Sequence, residues 1–278
     1  MADFFTNLTG NAQLDNSILQ AYAQGFMVAN GQAQILEPLV TIKRDISAVS
    51  IRFTKYGRLA LATTPLSERE DVVLQSMADS EILLTPTTYG TAVATTELSS
   101  LTSGGTVDLA KATLVGLNAG STQDALIVSA LEASANKEFN VTMSGAQLDG
   151  QYTKLASSSV QMINGLYVAV MPEALIAILR AESGWIDVAK YANAEDVLKN
   201  EVGMYKGHRI VRHQGISTGV CVSLGANALG KAVSQDLTFV AAPPTDALQR
   251  FFRLGWKGVF KYQIVDTDAV QILTAAAS

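Results

Sequence analysis

Hydrophobic and polar positions change their spacing several times along this chain, and each change predicts a different element. Residues 14–40, LDNSILQAYAQGFMVANGQAQILEPLV, hold a short helical stretch from Ile18 to Phe26. Beyond it, apolar groups scatter among glutamines and glycines, as in an arm that packs on something larger. From Ala48 the period becomes two. AVSIRFTKYGRLALAT alternates apolar and polar residues, with β-branched and aromatic members. EILLTPTTYGTAVATTEL (81–98) is extended again, and its Pro86 suits an edge or a bulge better than a central strand. Together these runs predict a long two-stranded ribbon over 46–96, with the charged stretch TTPLSERED (63–71) at its irregular end. A lone hairpin buries too little to hold itself, so such a ribbon implies a partner surface.

Residues 106–135 form the longest helical segment. Gly116 and Gly120 lie inside it, where each costs up to about 1 kcal/mol relative to alanine. Either they permit a close backbone approach, or the segment is two helices broken near Gly120. Residues 136–159 read as a polar, turn-rich connector. GLYVAVM (165–171) is a buried-strand candidate running into a helix at PEALIAILRAES, with Pro172 and Glu173 suited to the first turn. NAEDVLKNEVG predicts a second short helix capped by Asn193. GHRIVRH, LTFVAAPP and the closing FFRLGWKGVFKYQIVDTDAVQILTAAAS supply further strands, ending the chain on a β ribbon. Strands and helices mix without βαβ regularity, which points to an α+β fold and disfavours a doubly wound parallel sheet.

Composition sharpens the expectation of partners. The chain is 48% hydrophobic and only 16% charged, against about a quarter charged in a typical soluble domain. Uncharged surface in this amount suits burial against other subunits; an Ala/Ser/Thr/Gly-rich monomer is the plain alternative. No apolar run reaches membrane-spanning length and the N-terminus lacks a signal-peptide pattern, so no membrane partner is expected. A net charge of −5 offers no electrostatic basis for a classical duplex-binding face. The single cysteine, Cys221 in GVCVSL, excludes an intrachain disulfide and reads as a buried small hydrophobe.

Candidate chemistry is thin. GANALGKA (225–232) has the spacing of a phosphate-binding loop, but Ala232 stands where a hydroxyl would hold magnesium, and no useful helix follows. His208 and His213 are five apart, on opposite faces of a strand, with no third ligand spaced to join them. A Cys221–His213 couple is compatible with spacing and marked by nothing else. Glu68 and Glu70 are neighbours in one loop, which does not supply carboxylates converging across a cleft. No catalytic, cofactor or metal residue is assigned. FFRLGW reads as a core anchor, with Arg253 snorkelling outward or bridging subunits.

Taken together, these segments resemble a tailed-phage major capsid protein of the HK97-like fold, closest to the phage N4-type coat protein family. TTPLSERED resembles the acidic tip of that family's extended loop; Glu68 matches the acid, and Arg69 stands where the family has glycine. GLYVAVMPEALIAILRAESGW resembles its strand-to-helix segment, NEVGMYKGHRIVRH the following turn and strand, and GANALGKA and GWKGVFKYQIVDTDAVQIL its closing strands. The resemblance implies an N-terminal arm (1–45), an extended hairpin loop (46–98), a peripheral domain with a spine helix (99–149), an axial domain (150–240) and return strands to the peripheral domain (241–278). It implies a non-enzymatic subunit without cofactors, forming hexamers and pentamers in an icosahedral shell around packaged double-stranded DNA. The shell would be assembled in the cytoplasm of a bacterial host, with separate scaffolding, portal and decoration proteins as possible partners. Glu68, Arg69, Glu70, Asp71 and Arg253 become the candidate intersubunit contacts. The lysine–asparagine cross-link of some relatives is not implied, because no lysine matches its position; Lys55 merely falls in that region. With no long helical leader after Met1, a fused scaffolding domain is not expected. A tail-tube or decoration subunit is the competing structural class, and a small-ligand enzyme stands behind it.

Overall fold

Two glycines in the long helix set the first packing layer. The computed structural model describes residues 12–46, 49–57, 59–63, 65, 71, 74–102, 106–187, 190, 198–242 and 251–275. Helix α1 spans Ala12–Ala33, α2 Glu97–Thr102 and α3 Thr106–Glu132. α3 is continuous through Gly116 and Gly120, so the close-approach alternative holds and the broken helix does not. A Cβ on Gly116 would lie 2.5 Å from the Phe26 carbonyl oxygen, and one on Gly120 would lie 2.6 Å from Ala33 Cβ. Contacts advance together along both helices, from Phe26 and Ala29 at Gly116 to Asn30 and Ala33 at Gly120, so α1 and α3 run parallel. This packing also explains why α1 is 22 residues long where periodicity predicted a short stretch: helicity comes from the docked face rather than from a regular apolar stripe.

A four-stranded sheet lies under this helix pair. Its order is β1 (Val40–Arg44), β11 (Leu229–Ala242), β12 (Phe251–Ile264) and β4 (Thr87–Thr96). β1 is parallel to β11, and the other neighbours are antiparallel. Alternation along β12 turns Trp256, Phe260, Tyr262 and Ile264 into the core. The Trp256 indole N–H donates to Asn118 of α3 at 3.0 Å.

The second sheet has seven strands in the order β5 (Lys137–Val141), β13 (Val270–Ala275), β10 (Val220–Leu224), β6 (Tyr167–Met171), β9 (His208–Arg212), β8 (Glu201–Tyr205) and β7 (Ile186–Asp187). Every residue of β6 and β10 is buried, which requires both faces of the sheet to be covered. On one face Leu148 and the apolar side of α5 (Glu173–Arg180) pack against Met171, Ile210 and Cys221. On the other, Val168, Val170 and Val222 join a core shared with Ile127, Val128 and Leu131 of α3. α3 therefore belongs to both layers.

Three expectations are corrected. Residues 136–159 are not a loose connector: they hold β5 and helix α4 (Gly145–Ser157), anchored by Leu148, Gln151 and Leu155 at single buried positions that leave little periodic signal. The closing strands do not form a ribbon, because β12 pairs in the small sheet and β13 in the large one. The ribbon over 46–96 does not take in β4: among the described residues β2 (Ile51–Tyr56) pairs with β3 (Asp79–Leu84), while β4 leaves to pair with β12. In NAEDVLKNEVG, residues 193–197 lie outside the described residues, and the rest is not helix: a turn at Lys199–Asn200 leads into β8.

Candidate assembly surface

The β2–β3 hairpin is seated at its root and bare beyond it. Ile51, Phe53 and Leu84 are buried against Ala232 of β11, and a Cβ on Gly230 would come within 2.8 Å of the Phe53 ring. Small residues in β11 thus make the seat. The Lys43 ammonium lies 4.8 Å from the centre of the Phe53 ring and donates to the Arg52 carbonyl at 3.1 Å. Lys55 donates to Asp266 at 2.6 Å and to Asp268 at 3.3 Å, on the turn between β12 and β13. The hydrogen bond to Asp266 raises the Lys55 pKa above its ordinary value. The Lys55 side chain is nevertheless 44% exposed, so the pair contributes at most about 1 kcal/mol. Lys55→Met is therefore expected to lower global stability by less than about 1 kcal/mol while speeding amide hydrogen exchange at Ile51 and Phe53. Unchanged exchange there would show that apolar packing alone holds the root.

Beyond the root, Tyr56, Leu59, Leu61, Leu74 and Met77 are exposed, Leu61 at 85% and Leu74 at 92%. Ala60 N–H donates to the Gln75 side chain at 2.8 Å, and Gln75 returns a bond to the Ala60 carbonyl at 3.1 Å, so the two legs stay joined without a core of their own. Glu68, Arg69 and Glu70 lie outside the described residues; Asp71 is exposed. Arg253 is exposed on β12, opposite Ala94 and Ala242. It sits eight residues from Lys261, about 27 Å along the strand, on the part of the sheet away from the hairpin root. The leucines and the Lys55 pairings escaped sequence reading; RLAL in an otherwise polar excursion was the available signal.

The polar interior is structural. Asp124 of α3, buried, accepts from Ile35 N–H at 2.8 Å and Leu36 N–H at 3.3 Å and lies 3.3 Å from His213 Nε2. Gly215 N–H donates to His213 Nδ1 at 3.1 Å, so the fitting tautomer carries its proton on Nε2 and gives it to Asp124. Both ring nitrogens are occupied, which leaves no base for a nucleophile. Lys199 caps the C-terminal end of α1, donating to the carbonyls of Gly31 and Gln34 at 2.6 Å each and to that of Gln32. His208 is fully buried beside Tyr152 and Tyr167, and desolvation lowers its pKa to about 4. Burial pushes the Cys221 thiol up to about 12, the behaviour of an inert core cysteine. In GANALGKA a turn at Ala226–Asn227 leads directly into β11, and Lys231 is held by Glu37, so no phosphate loop forms. Among the described residues, no group of three or more His, Cys, Asp or Glu side chains is placed to hold a metal.

No protein-family profile matches the chain, and no curated protein matches it. Solved structures do. The capsid of Ralstonia phage GP4 superposes with a TM-score of 0.75 at 13% identity, covering 86% of this chain and 88% of that one. The head structure of Helicobacter pylori bacteriophage KHP40 gives 0.68 at 12% identity, with 86% and 87% covered. The virus-like particle from Pyrococcus furiosus gives 0.58 at 13% identity, with 90% and 96% covered. These likenesses show the fold: the chain has the α+β, HK97-like architecture of such subunits over nearly its whole length.

Proposed function

We propose that this chain is the major capsid protein of a tailed phage, a non-enzymatic subunit that forms hexamers and pentamers in an icosahedral shell. One observation carries the reading: a fold shared over most of its length with shell subunits also projects a hairpin whose Leu61 and Leu74 are exposed among the described residues. A two-stranded ribbon of this kind is marginal by itself, and a neighbouring subunit would supply what it lacks. Packaged double-stranded DNA is the proposed content and the cytoplasm of a bacterial host the proposed place of assembly. The acidic net charge of −5 suits a wall that contains DNA without trapping it. Separate scaffolding, portal and decoration proteins would complete the head, and the N4-type coat proteins are the proposed relatives.

Within this reading, α1 belongs to the arm (1–45) and lies along the spine helix, and the hairpin belongs to the extended loop (46–98). The proposed peripheral domain (99–149) holds α3 and β5, the axial domain (150–240) holds β6 to β10 with α5, and the return strands (241–278) are β12 and β13. Glu68, Arg69, Glu70, Asp71 and Arg253 are proposed as intersubunit contacts. Negative-stain imaging of the purified protein tests the assignment: closed shells or capsomer rings are expected, and a homogeneous monomer would overturn it. Reversing Glu68, Glu70 and Asp71 to lysine is expected to block or misdirect assembly while circular dichroism stays unchanged. Normal shells from that variant would remove the tip charges from the account.

A further inference from the structure

Helix α4 covers the large sheet through few groups. Its buried residues are Gly145, Leu148, Gln151 and Leu155, a narrow face at helical spacing with only two large apolar side chains. Polar contacts supply the rest. Glu182 accepts from Gly145 N–H at 3.0 Å and from the Tyr205 hydroxyl at 2.7 Å. Lys154 pairs with Glu138 of β5, and the Gln151 side-chain oxygen accepts from the Ser223 hydroxyl at 2.5 Å. A helix with so little apolar anchorage opens at less cost than the strands beneath it, whose cores also include residues of α3 and α5.

A histidine lies under this helix. His208 of β9 is fully buried, with the rings of Tyr152 on α4 and Tyr167 on β6 centred 6.1 and 6.0 Å away. Tyr152 is seated on the turn before it: a Cβ on Gly207 would lie 2.6 Å from the Tyr152 ring. The imidazole Nδ1 lies 3.0 Å from the Lys206 carbonyl, so the fitting tautomer carries its proton there. An added proton would land on Nε2, which has no partner among the described residues. A charge at that atom meets aromatic walls and no acceptor. Asp149 of α4 attracts it, but burial outweighs both that attraction and the Lys206 hydrogen bond.

We propose that His208 and α4 form an acid-operated latch: protonation of the imidazole releases α4 from the sheet, while the strands stay paired, and uncovers Cys221. The departing helix takes Tyr152 with it and gives the charged ring to water. Cys221 is fully buried on the same face, its Sγ 4.0 Å from Gln151 Oε1, so it reports whether α4 is in place. Above pH 6.5 neither form binds the proton and the latch is shut. Below that the open form, with the ordinary histidine value of 6.5, takes a proton that the closed form, at about 4, refuses. The opening constant therefore rises by about 60-fold between pH 7 and pH 4.5.

Thiol labelling of the full-length protein tests it. Cys221 is the single cysteine, so its rate with 4,4′-dithiodipyridine, divided by that of free cysteine at the same pH, measures opening. This ratio should rise by about 60-fold from pH 7 to pH 4.5 and stay nearly level in His208→Leu. That variant keeps Glu182, Glu138 and Asp149, so an equal rise in it would assign the release to those acids and overturn the latch. Amide hydrogen exchange in the native protein, corrected for its intrinsic pH dependence, supplies a test that needs no variant. Protection should fall at Leu148 and Leu155 and persist at Val168 and Val170 of β6. Loss at all four together would mean global unfolding, and constant protection would mean no release; either result overturns the proposal, even where His208→Leu fails to fold.

Discussion

Gly120→Val should destabilise the subunit by about 3 kcal/mol, whereas Gly31→Ala, on the partner helix, should stabilise it by about 0.5–1 kcal/mol. Glycine is a poor helix former, so adding a side chain at an exposed helical site ordinarily helps. Gly31 is such a site, with nothing within 4 Å of a built Cβ. At Gly120 the same atom would lie 2.6 Å from Ala33 Cβ and 2.7 Å from the Asn30 carbonyl oxygen. The second contact is with backbone, which cannot rotate away, so the helices must separate. Separation also disturbs the Gln34–Gln123 contact and the bonds from Ile35 and Leu36 to Asp124, which fasten the end of the arm. Urea unfolding of the two variants measures the effect. Equal signs would mean that the parallel contact of α1 and α3 is looser than described.

Acid should cost the subunit about 3 kcal/mol through His208 alone as pH falls from 6.5 to 4. The imidazole is fully buried, its Nδ1 lies 3.0 Å from the Lys206 carbonyl, and its Nε2 has no partner among the described residues. Burial lowers the folded pKa from 6.5 to about 4, opposed by the Lys206 hydrogen bond and by Asp149. Above pH 6.5 neither state binds the proton and the full stability is present. Between 6.5 and 4 the unfolded chain takes a proton that the folded one refuses, and stability falls with each unit. Near pH 4 the folded state begins to protonate and the loss levels off. Unfolding free energies from pH 7 to 4 should therefore slope by about one proton more in the native protein than in His208→Leu. Identical slopes would place the histidine in contact with water.

The residues that were legible in the sequence are those whose partners lie nearby in the chain. Within GLYVAVM, Tyr167–Met171 formed a strand buried at every position because an unbroken apolar run has no polar face to show. The helix after Pro172 began where proline fixes the backbone and Glu173 meets the helix N-terminus. The long helix over 106–135 was visible, and its glycines stated a choice between approach and breakage without deciding it. Cys221 was legible as a buried core residue from its apolar run, and GANALGKA as a strand entry because Ala232 stands where a hydroxyl would be needed.

The tertiary structure decided where the strands went. Pro86 marked an edge in the sequence, but only the sheet showed that β4 leaves the ribbon for β12, and that four residues of β12 are left with an open side. α4 and β5 were invisible because their stability comes from Leu148, Leu155 and pairing with β13, not from local periodicity. The same holds for Lys55 with Asp266, 211 residues apart, and Asp124 with His213, 89 apart. Hydrophobic period and turn chemistry are local quantities and set which segments become helix or strand. Strand partners, buried ion pairs and grooves arise from contacts between distant segments, whose loop-closure cost is offset only once the whole core is in place.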